Sequence, residues 1–571
     1  MSSRAVTIHS IRSSVSWLSP ETKQILWVVL AAFAIMSPTF FWGVPASQDL
    51  TNHFRFALPF YDSLRAGHFH PGWLAESNAG YGDASFRFYP PAVYYLLALA
   101  RTLTGNWYAA TLLTANLLSI TGALGVYFWG RAIGMGRYAV WAGILFAVAP
   151  YHLNQFFQSF MFAEFAGATI LPFAFAFTER VCQHRRRRDI AGLAAAYGLL
   201  VLTHLPLSVI ASIALFVYAI FRLVPGKRLA TLGSLGLGVL LGLCASASYW
   251  MTMLAELRWI RADNIMTDTS VDYRQNFVLS TFSPDYLSVW WMNILLLVAV
   301  AMFWPALALM RKSARESMPG QTRKHGSLLA LTILVALTLF MATPLSRPLW
   351  NALQPLQKTQ FPWRWFAILS MVCPLLLAMV IPYWKTLLAG KRRPLALLAA
   401  GTATVAFAFS FSHIIREAYW LTPNQFEQRL SEIPGSQSVS QWFPVWVHEP
   451  IQSMDAPVKA GDRMVTIESW LPEHRVFQLG AGESTTARVR TFFYPHWVAT
   501  SEGQRLTITY DGDGAMLIAL PARVGRVILE FREPRRVLYA TALSGIGWVL
   551  IGLLLIPRRR TANSTNSESK Q

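Results

Sequence analysis

Long apolar runs separated by short polar segments organise most of the chain. They fall at about 24–43, 107–130, 138–155, 165–178, 189–204, 206–222, 229–252, 287–310, 326–343, 363–384, 394–412 and 538–556. Several reach the ~20 residues that an α-helix needs to span a bilayer. Helix is the expected form, because a backbone in lipid must satisfy its hydrogen bonds within the segment. With the amino terminus inside and one crossing per run, the pattern predicts twelve crossings and two cytoplasmic termini. The first run is too long for the core of a cleaved signal and lacks a small-residue cleavage site, so it is read as a retained helix. The segment Pro90–Leu103 is apolar but short, carries Arg101 and opens on a double proline, which suits a helix start. It is read as a helix lying at the outer interface; counted as a crossing, it makes thirteen.

Four polar pieces then face outward: 44–106, 253–286, 344–362 and 413–537. The last changes period. Thr485–Phe493, Arg505–Tyr510 and Val524–Phe531 alternate apolar and polar positions, the signature of half-buried strands, and Asp511-Gly512-Asp513-Gly514 supplies a tight turn. The fold class expected is an α-helical polytopic membrane protein with a small extracytoplasmic β-sandwich near the C-terminus. Its divisions are a transmembrane domain over 1–412 with the first outer loop at 44–106, an extracytoplasmic region over 413–537 holding the sandwich at about 461–534, and a last helix with a cytoplasmic tail over 538–571. The tail from Thr561 is polar and reads as disordered.

Charge placement supports this topology. The net charge is +20, yet only 14% of residues are charged and 54% are hydrophobic, against about 25% charged in a soluble domain. The basic residues gather between apolar runs, at Arg185–Arg188, Lys227-Arg228, Arg311-Lys312, Lys391–Arg393 and Arg558–Arg560. All of these clusters fall inside under the twelve-crossing parity, the positive-inside pattern, so the charge reads as topogenic and not as a nucleic-acid footprint. Counting Pro90–Leu103 as a crossing would move Arg131, Arg137 and Arg185–Arg188 outside unless another run were split. Cys182, Cys244 and Cys373 form no disulfide or metal spacing.

The first outer loop carries the densest candidate chemistry. Asp49 follows the first span closely, and His53 lies one helical turn further on the same face. Asp83, Arg87 and Tyr89 cluster before Pro90-Pro91. A carboxylate at the membrane boundary beside a cation suits general-base work on a hydroxyl while an anion is clamped nearby. Outer loops ordinarily carry Asp, His and Arg because they are wet, so a solvated reading stands beside the catalytic one. His68 and His70 lack a third ligand and read as solvated; Gly80-Tyr81-Gly82 reads as a turn. Glu164 sits at the outer end of an uncharged hairpin, where a lone carboxylate is a functional hypothesis or a snorkelling helix end. His204 marks another outer hairpin and is either a cavity residue or a helix-break residue. Arg364, between Trp363 and Trp365, is an interface anchor or a phosphate ligand, with Lys358 nearby.

These motifs carry a resemblance. The acidic loop start, GHFHPGWLAESNAGYG, FRFYPPAVYYLL and the outer Glu two spans on resemble the GT-C superfamily of membrane glycosyltransferases. FPWRW and the ending YPHWVATSEGQ…GAMLIALPARVGRVILEF resemble more closely the bacterial membrane proteins labelled pyruvoyl-tetrahydropterin-synthase-related and those of the YfhO type. The resemblance covers most of the chain, and no feature of a soluble pterin enzyme accompanies it. It implies a GT-C-like fold in the bacterial cytoplasmic (inner) membrane, with an extracytoplasmic active site. It implies an inverting transfer from a polyprenyl-phosphate-linked sugar to an acceptor glycan or cell-envelope polymer. Asp49 and Glu164 would be catalytic; His53, Asp83, Arg87, Tyr89, His204, Lys358 and Arg364 would bind substrate. The family often pairs two acids in the first loop or binds a divalent cation; Asp49 stands between Gln48 and Leu50, so no paired-acid motif is present and the metal stays open. The competing classes are a transporter or flippase of lipid-linked glycans, against which no repeat or pair of broken helices is visible, and a non-catalytic scaffold of polysaccharide assembly.

Overall fold

The computed structural model describes residues 18–261, 271–283, 289–302, 322–390, 393–434, 442–448, 456–523 and 525–557. The clusters Arg311-Lys312, Lys391-Arg392 and Arg558–Arg560, the run beyond Met302, Val524 and the polar tail lie outside the described residues. The chain opens with helix α1 (Pro20–Trp42), strand β1 (Val44–Ala46), α2 (Gln48–Arg65) and α3 (Ala92–Thr104). The helical body continues through α4 (Trp107–Ala132), α5 (Ala139–Ala147), α6 (Pro150–Phe157), α7 (Phe162–His184), α8 (Arg187–Thr203), α9 (Leu205–Arg222), α10 (Arg228–Ala245) and α11 (Ala247–Glu256). Then come α12 (Val289–Met302), α13 (Thr322–Ala342), α14 (Pro344–Ala352), α15 (Pro362–Tyr383) and α16 (Arg393–Arg416). Strand β2 (Tyr419–Leu421) and α17 (Pro423–Ser431) follow, and α18 (Arg535–Leu555) is the last described helix.

Eight of these helices, α1, α4, α7, α9, α10, α15, α16 and α18, are long and apolar enough to cross a membrane among the described residues; the bent pair α13–α14 makes up to nine. The twelve crossings read from the apolar runs are therefore not matched by twelve membrane-length helices. The run 138–155 forms two short helices, α5 and α6, because Pro150 has no N–H to continue the first. The run 229–252 divides at Ser246 into α10 and α11. The segment at Pro90 becomes the 13-residue α3, too short to span, with Tyr95, Leu99 and Leu103 exposed along one stripe. Small residues let helices approach closely where no hydrophobic effect drives them together. A Cβ on Gly198 of α8 would lie 2.9 Å from the Gly242 carbonyl oxygen of α10.

The outer β-region holds two antiparallel sheets. One has the order β3-β6-β10-β9 and the other β4-β5-β11-β7-β8. The strands are β3 (Val458–Lys459), β4 (Val465–Trp470), β5 (His474–Leu479), β6 (Thr485–Phe492), β7 (Trp497–Ser501), β8 (Gln504–Leu506), β9 (Ile508–Tyr510), β10 (Ala515–Leu520) and β11 (Arg526–Phe531). Asp511 accepts hydrogen bonds from the Asp513 and Ala515 N–H groups and turns the β9–β10 hairpin. The single strand read at Arg505–Tyr510 is two strands, because the chain changes sheet around Thr507.

The first outer loop is not wet. Trp73, Tyr81 and Phe88 enter the hydrophobic core of the sandwich together with Phe477, Met516 and Leu529. The Phe492 N–H donates to the Tyr81 carbonyl at 2.7 Å, and Arg488 donates to the Tyr81 hydroxyl at 2.8 Å. The Gly80-Tyr81-Gly82 turn is thus a plug, with both glycines at positive φ.

Candidate functional site

Asp49 stands in the first turn of α2, where an acid complements the helix dipole. The turn is held from both sides. Gly43, at φ +111°, lets β1 pass so close to β2 that a Cβ there would lie 2.0 Å from the Leu421 oxygen. Ser47 donates to the Ser159 carbonyl at 2.5 Å. The Asp49 carboxylate is half-buried, and its one polar neighbour among the described residues is Asn52 Nδ2 at 3.5 Å, a weak contact. Burial pushes its pKa up to about 6, against the opposing pull of Asn52 and of Arg364; the Glu164 charge adds to the rise. Asp49, Arg364 and Glu164 therefore share one electrostatic environment, and a base near neutrality is what proton abstraction needs.

Glu164 opens α7 and is 1% exposed. Its two oxygens are taken by the Tyr151 hydroxyl at 2.5 Å and by Arg364 Nε at 2.7 Å. Arg364 comes from the 3₁₀ turn Pro362–Trp365 that starts α15. Its Nη1 donates to the Thr359 carbonyl at 2.6 Å and to Gln360 Oε1 at 3.1 Å, and its plane lies over Phe361, 4.7 Å from the ring centre. Nη2 makes no hydrogen bond among the described residues. The guanidinium is thus fixed at one end and free at the other, the form in which Arg recognises phosphate.

His204 caps α9, with Nδ1 accepting from the Leu207 N–H at 3.3 Å, so Nε2 carries the proton. It packs on α7 at Gly167, one turn after Glu164, where a Cβ would lie 3.0 Å from its own. Tyr89, half-buried, lies within the fields of Asp49, Arg364 and Glu164; burial and the Asp49 charge raise its pKa. Asp49, Tyr89, Glu164, His204 and Arg364 thus converge at one end of the bundle.

The other candidates go elsewhere. His53 is a tie: its Nε2 accepts the Phe162 N–H at 3.0 Å and its Nδ1 donates to the Tyr94 hydroxyl at 2.8 Å, joining α2, α3 and α7. Burial lowers its pKa to about 3, so it is neutral, and neither nitrogen is left to orient Asp49. Asp83 caps the turn at Ser85, accepting from its N–H at 2.7 Å. Lys358 is exposed at the end of a short helix. His68 pairs with Glu473 at 3.3 Å and does not join His70 as a ligand.

Arg87 is no phosphate ligand, because it is saturated. It bonds Glu256 through Nε and, at 2.8 Å, through Nη2, and it meets Glu533 at 2.6 and 3.0 Å. Glu256 also accepts from Tyr494 at 2.8 Å and Arg536 at 3.2 Å, and lies 2.9 Å from His496 Nε2. Burial alone would raise the Glu256 pKa; the bonds from Arg87 and His496 outweigh it and hold the carboxyl below its usual range. This network clamps the first loop, α11, the sandwich and α18 together, two residues from Tyr89. Sequence reasoning missed Glu256 and Glu533, although a lone acid just beyond an apolar run was a visible signal. It also missed Tyr151, which nothing in its apolar surroundings distinguished.

A small apolar pocket lies beside the site within the bundle. Leu145, Pro150, Leu295, Phe366 and Leu369 line it with Tyr151, the residue whose hydroxyl holds Glu164. Among the described residues no group of three or more His, Cys, Asp or Glu side chains is placed to hold a metal ion. Glu164 is spent on Arg364 and Tyr151, so Asp49 and Glu164 do not form a ligand pair.

A family model described as 6-pyruvoyl-tetrahydropterin synthase related domain, membrane protein, matches residues 86–415, more than half of the chain. No curated protein matches the sequence. Among solved structures, the chain is similar to the apo oligosaccharyltransferase of Archaeoglobus fulgidus, at 14% identity and a TM-score of 0.43 over 72% of this chain and 58% of that one. It is similar to the arabinofuranosyltransferase AftD from Mycobacteria, at 19% identity and a TM-score of 0.43 over 72% and 27%. It is similar to ArnT from Cupriavidus metallidurans bound to undecaprenyl phosphate, at 17% identity and a TM-score of 0.34 over 70% and 78%. The chain spans less than two thirds of the first two.

Proposed function

We propose a function for a chain that belongs to the 6-pyruvoyl-tetrahydropterin-synthase-related family of membrane proteins: inverting transfer of a sugar from a polyprenyl-phosphate-type donor to an acceptor glycan or envelope polymer outside the cytoplasm. One observation carries it. A nearly unpartnered carboxylate, Asp49, with a pKa near 6, shares its environment with Arg364, whose Nη2 has no partner among the described residues.

In this reading the donor phosphate meets Arg364 Nη2, with His204 Nε2–H as a second donor. Asp49 takes the proton of the acceptor hydroxyl as that oxygen attacks the anomeric carbon. The bond from that carbon to the phosphate oxygen breaks, and its electron pair leaves with the polyprenyl phosphate. One displacement inverts the configuration. The phosphate needs no protonation to depart, so a base and a fixed cation suffice. Glu164 then acts through Arg364 as a positioning residue, and the sandwich presents the acceptor.

The test is turnover of the purified protein in nanodiscs with a panel of polyprenyl-phosphate sugars and envelope glycans. Asp49→Asn is expected to lower turnover by about 10²–10⁴-fold, the range for losing a general base. Undiminished turnover in that variant removes Asp49 from the mechanism.

A further inference from the structure

Beyond α17, Trp442 opens the described segment 442–448. Residues 259–261 and 443–445 pair as a short ribbon: the Arg261 N–H donates to the Phe443 carbonyl at 3.1 Å, and the Val445 N–H to the Trp259 carbonyl at 2.9 Å. Trp446 Nε1 fixes the far end on the Phe493 carbonyl at 2.7 Å. Anchored this way, Trp442 points back toward the first loop. It stacks on Phe88, with ring centres 6.1 Å apart and planes 8° apart, and meets Tyr89 edge-on at 6.4 Å.

Three features set Trp442 apart from an ordinary core tryptophan. It is only half-buried. It packs at the junction of the bundle core and the sandwich core. Its indole N–H has no partner among the described residues. Tyr89, which Trp442 meets, lies in the field of Asp49 and is itself half-buried. A flat apolar ring with a spare donor, touching the tyrosine that feels the base, fits a pyranose or furanose ring. The C–H face of a sugar covers apolar surface while its hydroxyls seek donors, and an indole offers both. A buried prenyl chain would need no donor.

We infer that Trp442, with Tyr89, is the stacking platform for the acceptor, and that the acceptor is therefore a carbohydrate. The inference rests on the transferase reading for its place in the reaction, but binding can be measured without turnover. The probe is a panel of neutral trisaccharides of hexose, N-acetylhexosamine and pentose, followed by saturation-transfer NMR on the full chain in nanodiscs. Binding by the wild-type protein and by Asp49→Asn is expected, with affinity falling at least ~10-fold in Trp442→Leu, which loses the ring and the donor, and about 3-fold in Trp442→Phe, which keeps a ring and loses the donor. Trp442→Leu keeps an apolar side chain of smaller volume, and its thermal midpoint shows whether the fold survives; if it does not, undiminished binding by Trp442→Phe overturns the inference. Equal binding by Trp442→Leu and wild type overturns the inference, as does binding of none of the trisaccharides. Trp442-dependent binding together with full turnover in Asp49→Asn would leave the platform standing and remove the proposed base.

Discussion

At the scale of single residues, Asp49 is expected to trade stability for chemistry. Its folded pKa, about 6, lies above the ordinary 3.8. A raised acid stabilises the fold fully below the unfolded pKa and loses that contribution as pH climbs through the folded value. The upper bound is about 3 kcal/mol for a shift of about two units, and solvent reduces it because the side chain is half-exposed. Asp49→Asn should therefore raise the thermal midpoint at pH 7.5, with the gain vanishing near pH 4, while activity is lost; calorimetry across pH checks this. In the wild type, kcat/KM should rise with pH through about 6. Glu164 makes the opposite case. Glu164→Gln leaves Arg364 buried without its counter-charge, at an expected cost of about 3–5 kcal/mol in denaturant unfolding. The double variant Glu164→Met with Arg364→Met should recover most of that stability and none of the turnover. A double variant as unstable as the single would refute the ion-pair account.

At the scale of elements, the clamp around Glu256 decides how the sandwich sits. Arg87 on the loop, Tyr494 and His496 on the sandwich and Arg536 on α18 all meet this one carboxylate. Its folded pKa is depressed, so its contribution is present above the ordinary value of 4.5 and is lost as pH falls through the lower folded value. Glu256→Gln at neutral pH should speed amide exchange in residues 84–92 and 494–497 together, measured by hydrogen–deuterium exchange. Exchange faster only at 494–497 would mean that the clamp does not hold Tyr89. His53 acts similarly between helices, satisfying the Phe162 N–H at the buried start of α7, where it has no partner within the helix.

At the scale of the whole molecule, α7 sets the direction. Its 23 residues span roughly 35 Å, with Glu164 at one end and the Arg185–Arg188 run just past the other. The two ends belong on opposite sides of a bilayer. In a background with the native cysteines replaced by alanine, Ser484→Cys on the sandwich should react with an impermeant maleimide in intact cells, and Pro225→Cys between α9 and α10 only after permeabilisation; the reverse pattern would invert the topology. The sequence by itself determined the membrane class, the β-region and the choice of Asp49 and Arg364 as residues to watch. It could do so because apolar length, strand period and stray charge are local properties. Tertiary structure decided the rest. Whether 138–155 crosses once depends on the break at Pro150 and on what packs around it. Whether Arg87 is free or saturated depends on Glu256 and Glu533, distant in sequence, and those partners turned a loop that reads as wet into part of the sandwich core. Asp49 was a candidate base from its sequence position, and nearby Asn52 is written beside it; but its proton affinity near neutrality comes chiefly from burial, with the charges of Arg364 and Glu164 that α15 and α7 bring to it, and none of these three is local in the chain.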